Sequence, residues 1–118
     1  MALLNGSRMV LDPIGWFASI PDLALTGAAN GHLIRDVGTA YLASAAGLAF
    51  AVWRPLAATG ALAVATVFMA GHGVLHLVEI VESCAAAPGG TAIDWMGVIL
   101  PGALTAGLCG WSLRLRTV

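Results

Sequence analysis

Long apolar stretches broken at a few polar points organise this chain. Positions 28–54, 55–82 and 94–114 each form a nearly unbroken apolar segment. A helix crossing a bilayer needs about 20 such residues at 1.5 Å each, so each segment predicts a membrane-spanning helix. Arg54-Pro55 separates the first two, because proline cannot continue a helix without losing a hydrogen bond. Residues 83–93, rich in Ala, Gly and Pro, predict a loop, and Asp94 is placed to cap the third helix. Residues 1–27 are less regular. The apolar run at 9–20 is interrupted by Asp12, Pro13 and Gly15, which predicts a short or irregular N-terminal helix. It either spans as a distorted fourth helix or lies in the interface, with Trp16 and Phe17 as anchors. The expected fold is an all-α, polytopic membrane helical bundle in a single domain of 118 residues.

Composition strengthens that picture. Hydrophobic residues make up 59% of the chain and charged residues 9%. Mean hydropathy is +0.92, above what a soluble fold of this size carries. The net charge of −1 offers no basic patch for a nucleic acid. Residues 1–4 are too short an apolar run for a secretory signal, so the chain is read as unprocessed. Cys84 falls in the predicted loop and Cys109 deep in a helix, so no disulfide is expected between them. The cations set the orientation. Arg54 lies in the first hairpin turn and Arg114 and Arg116 follow the last span, whereas residues 83–94 hold no cation. The positive-inside rule then puts Arg54 and the C-terminus in the cytoplasm and the 83–94 loop outside. Trp53 and Trp111 fall at the inner boundary, Trp16 and Trp95 at the outer one.

Against so apolar a background the ionisable residues stand out. His32, Arg35 and Asp36 lie on the first span, and His72, His76 and Glu79 on the second. A charge at the bilayer centre costs at least about 2.5–3.5 kcal/mol, so such groups meet a partner, a cavity or a ligand. In a hairpin turning at Arg54, residues equidistant from the turn share a depth, which pairs Asp36 with His72 and His32 with His76. Spacing of three or four keeps His32 with Asp36, and His72 with His76 and Glu79, on single helix faces. Three readings follow. In the first, His32, Asp36, His72, His76 and Glu79 bind a transition metal such as copper, iron, zinc or manganese, with Arg35 and Tyr41 supporting the ligands. In the second, the set is an internal network of hydrogen bonds and salt bridges. In the third, His32 and His76 ligate haem b from opposite sides.

Three histidines without an H-x-x-H-H box do not make a membrane desaturase, and neither Ser44 nor Ser83 has the context of a hydrolase nucleophile. No reaction is legible. Gly71, Gly73, Gly97, Gly102, Gly107 and Gly110 read as sites of close helix packing. A face around Gly97, Gly102 and Ala106 is expected to stay free for another helix, in a homo-oligomer or as an accessory subunit of a larger membrane complex.

Residues 13–42, PIGWFASIPDLALTGAANGHLIRDVGTAYL, and the later GHGVLHLVE carry a resemblance. They resemble a largely uncharacterised family of small bacterial four-helix integral membrane proteins. Its pattern looks like W-[FY]-x-x-[IV]-P, then T-G-x-x-N-x-H-[FL]-[IV]-R-D-[IV]-G-x-A-Y-L, then an H-x-x-x-H helix. The matching positions here are Trp16, Pro21, Gly27, Asn30, His32, Arg35, Asp36, Gly38, Tyr41, His72 and His76. The resemblance implies a four-helix bundle with the polar set as its signature, and no activity. This chain departs from it at the N-terminus, where the first span is shortened and holds Arg8.

Overall fold

The computed structural model describes residues 1–20, 23, 27–83 and 92–115. The regular elements among them are all helical. In chain order they are α1 (Ala2–Leu11), α2 (Pro13–Ser19), α3 (Gly31–Trp53), a 3₁₀ turn (Pro55–Ala57), α4 (Ala58–Ser83), a π-turn (Asp94–Ile99) and α5 (Leu100–Arg114). Three stretches are long and apolar enough to cross a membrane: Gly31–Trp53, Pro55–Glu82 and Asp94–Arg114. The all-α expectation holds, and the chain is a helical bundle of membrane type. Pro21, Thr26, residues 84–91 with Cys84, and Arg116 lie outside the described residues. Two compact units divide the chain at Ala45 and Ala46, within α3.

In the first unit the N-terminal segment forms two short helices. Asp12 causes the break. Its backbone N–H closes α1 onto the Arg8 carbonyl at 2.8 Å, and its Oδ1 accepts from Gly15 N–H at 3.0 Å to cap α2. Pro13 follows at the first position of α2, where its missing N–H costs nothing. Trp16 Nε1 donates to Asn5 Oδ1 at 2.8 Å and folds α2 back on α1. α1 is about 15 Å long, half a span. It runs antiparallel to the first half of α3, burying Ala2, Gly6 and Met9 at helical spacing. A Cβ on Gly6 would sit 2.7 Å from the Gly38 carbonyl, and one on Gly38 would sit 2.7 Å from Met9 Cβ. Both positions therefore need glycine. Gly38→Ala is expected to lower stability by about 1–3 kcal/mol, measured by SDS titration in mixed micelles. An unchanged midpoint would disprove the close approach. α3 itself starts at Asn30, whose Oδ1 accepts from the backbone N–H groups of His32 and Leu33 at 3.1 Å each.

The second unit is built on an antiparallel pair, α4 and α5. Leu62, Ala65, Met69 and Gly73 form the buried face of α4. A Cβ on Gly102 would lie 2.6 Å from the Met69 carbonyl and 3.2 Å from Ala70 Cα, so here the two backbones nearly touch. Thr66 Oγ1 donates to the Thr105 carbonyl at 3.1 Å, and Thr105 Oγ1 to the Gly102 carbonyl at 2.8 Å. This corrects the expectation of a free face at Gly102, which is consumed inside the chain. Among the described residues nothing stands within 4 Å of a Cβ built on Gly71, Gly107 or Gly110, so none of them packs closely against a described element. The last two turns of α3, from Ala46 onward, belong to this unit. Gly47 faces Ala61, a pair equidistant from Arg54, and the Arg54 guanidinium lies over the Trp53 ring at 4.8 Å.

The start of the third span differs from expectation. Asp94 is not an N-cap. Ile93 before it is already helical, and Asp94 opens a π-turn in which Leu100 N–H reaches back five residues to the Trp95 carbonyl. Pro101 follows directly. It has no N–H to offer and its ring crowds the carbonyl of Gly97 four residues back, so an α-helix running through this point must kink.

Candidate functional site

Phe68, His72 and His76 occur at four-residue intervals on α4, hence on one face. The Phe68 and His72 rings stack with centroids 5.5 Å apart and planes 8° apart. His72 and His76 meet edge to face at 4.8 Å and 77°. The array ends in a hydrogen-bonded imidazole–carboxylate pair across the helices, with His76 Nδ1 2.9 Å from Asp94 Oδ1. The side chains of this pair are only 25% and 22% exposed. An ionised carboxylate can only accept, so Nδ1 is the donor to it, and in the neutral ring Nε2 is then the nitrogen that keeps a lone pair. The site thus presents an imidazole nitrogen in an orientation fixed by a carboxylate. Such a nitrogen can ligate a metal or accept a proton.

The residues singled out from the sequence divide between the units. His32, Arg35, Asp36 and Tyr41 belong to the first, and His72, His76 and Glu79 to the second. His32 Nε2 lies 3.4 Å from Asp36 Oδ2, one helical turn apart, and both side chains are well exposed. Arg35 Nε donates to the Val10 carbonyl at 3.2 Å, serving the unpaired C-terminal end of α1. Tyr41 is buried and hydrogen-bonds the Asn5 side chain, which joins it to Trp16. Glu79 is exposed on α4. Among the described residues no three His, Cys, Asp or Glu side chains stand close enough together to hold a metal ion as placed.

Sequence reasoning missed Asp94 as the partner of His76. The available signal was depth: in an antiparallel pair the start of α5 lies opposite the end of α4. The intervening loop left that register loose, whereas the tight Arg54-Pro55 turn did not. The stack on Phe68 was also missed, although its i, i+4 spacing from His72 was visible. The chain matches no family model, no curated protein and no solved structure.

Proposed function

We propose that this chain is a small integral membrane subunit that binds a transition metal ion through the imidazoles of α4, with His76 as the principal ligand. The observation that carries the proposal is the 2.9 Å contact between His76 Nδ1 and Asp94 Oδ1. A histidine that ligates a metal commonly gives its other nitrogen to a carboxylate, which fixes the ring and raises its basicity. His72, one turn away with its ring at 4.8 Å, is the natural second ligand. Glu79 is the further donor that the same helix offers. Imidazole donors suit copper, iron and zinc, and a carboxylate extends the range to manganese. The cytoplasmic C-terminus, the bacterial inner membrane and assembly with other copies or subunits belong to the same proposal. They are supported by the positions of Arg54 and Arg114 and by the family resemblance.

A second reading has its own support. The Thr66–Thr105 bond and the His76–Asp94 pair both tie α4 to α5, so the polar centre can also be a purely structural clasp. Purified protein loaded separately with zinc, copper, iron and manganese, then desalted, separates the two. Near-stoichiometric metal in the wild type is expected, lost in His76→Ala, with affinity reduced about 10–100-fold in Asp94→Asn. If the wild type retains no more of any of the four than His76→Ala does, the clasp remains and the metal site falls. A Soret band in the same preparation would favour the haem alternative.

A further inference from the structure

We infer that the His76–Asp94 pair holds the π-turn of α5 in place, and that breaking the pair lets residues 94–99 rewind as α-helix. Three observations converge. The π-turn begins on Asp94, the residue that the pair engages. Its C-terminal end is anchored: Val98 is buried, the backbone of Val98 and Ile99 lies against Gly73, and Gly102 is locked on Met69 and Ala70. Any slack in the helix must therefore be taken up on the N-terminal side, toward Asp94. Finally, the turn holds one residue more than an α-helix would, as the Leu100 to Trp95 bond shows.

The geometry gives the consequence. Removing one residue's worth of winding turns everything N-terminal to the anchor by about 100° around the helix axis. That rotation would carry the Asp94 carboxylate off the face toward α4, so the pair and an all-α register exclude each other. π-turns are rare and hydrogen-bond less well than α-helix, so one that persists needs a local reason. Pro101 is one candidate, but a proline can equally be met by a simple kink, which requires no extra residue. The pair accounts for the extra residue directly, because only the π register delivers Asp94 to His76. Trp95 and Met96, both exposed, would swing with the turn. The α5 entrance is thus a moving part coupled to the state of His76. This stands whether or not a metal binds.

Spin labels at Ile93→Cys and Leu108→Cys, with Cys84 and Cys109 replaced by alanine, report the register within the third span itself. Electron–electron resonance should show the label distance shifted by about 5 Å in His76→Ala and Asp94→Ala, from the rotation of one helical residue. It should be unchanged in Pro101→Ala. The swapped double variant, His76→Asp with Asp94→His, restores the pair and should restore the distance, which also guards against simple misfolding. Wild-type distances in both alanine variants would overturn the inference. So would a Pro101→Ala chain in which the distance shifts although the pair is intact.

Discussion

Leucine at Gly102 is expected to abolish cooperative folding of the α4–α5 pair, the largest effect of any single substitution considered. The obstacle is backbone. A first side-chain carbon at this position would already lie 2.6 Å from the Met69 carbonyl, and no rotamer change can move that oxygen. The helices must part, which breaks the Thr66–Thr105 bond and loosens Met69 and Val98. Overpacking alone costs about 1–3 kcal/mol and more where the neighbour cannot yield. Even alanine should destabilise here, although in an open helix Gly→Ala gains about 0.5–1 kcal/mol. Gly107 supplies the control, since nothing stands within 4 Å of its missing Cβ. SDS titration should rank Gly107→Ala at or above wild type, Gly102→Ala well below it, and Gly102→Leu without a transition. If Gly102→Leu unfolds like the wild type, α4 and α5 do not pack through this glycine.

That glycine also shows where sequence reading reached its limit. The three spans were legible because lipid imposes a length and an apolarity that few other constraints mimic. An interruption at Asp12, Pro13 and Gly15 was legible as well. That Asp12 caps a second helix after a first one at Ala2–Leu11 was not, because residues 5–8 are polar and hide the first. Small residues carry no such address. Gly73 and Gly102 meet another helix of the chain, while Gly71, Gly107 and Gly110 meet nothing among the described residues, and composition gives all five the same signature. Only the rotation of each helix about its axis separates them, and an α5 with apolar residues on every side leaves that rotation unstated.

The same limit governs the polar residues. Arg35 and Asp36 are adjacent in sequence, which suggests an ion pair, yet neighbours on a helix point about 100° apart. Arg35 instead reaches the Val10 carbonyl, left without a donor by the end of α1. His32 and Asp36 do pair, as their four-residue spacing proposes. The His76–Asp94 pair was hidden because it depends on two facts absent from local spacing, the register across a long loop and the extra residue in the π-turn. Asp94 therefore read as a helix cap, its commonest use, while its actual partner is an imidazole on α4.

Removing either member of that pair should cost about as much as any polar change in the protein. A hydrogen bond to a charged group is worth about 1.5–3 kcal/mol, and the group left behind loses this bond in surroundings poor in water. With side chains only about a quarter exposed, little solvent is at hand to replace it. His76→Ala and Asp94→Ala are each expected to destabilise by about 1.5–3 kcal/mol. The double variant should cost clearly less than the two together, leaving a coupling of about 0.5–3 kcal/mol, as for residues in direct contact. Asp94→Asn keeps an acceptor toward Nδ1 and should lose less than Asp94→Ala. The exposed pair offers the contrast: His32→Ala and Asp36→Ala stand on a single helix face at 3.4 Å, where solvent screens the charge. Their coupling should fall to a few tenths of a kcal/mol, near the 0.3–0.5 typical of about one-turn helix pairs. SDS titration of the five single variants and both doubles measures the two cycles together. Additive losses for His76 and Asp94 would mean that the carboxylate does not hold the imidazole, and with that the oriented nitrogen on which the proposed site depends would be gone.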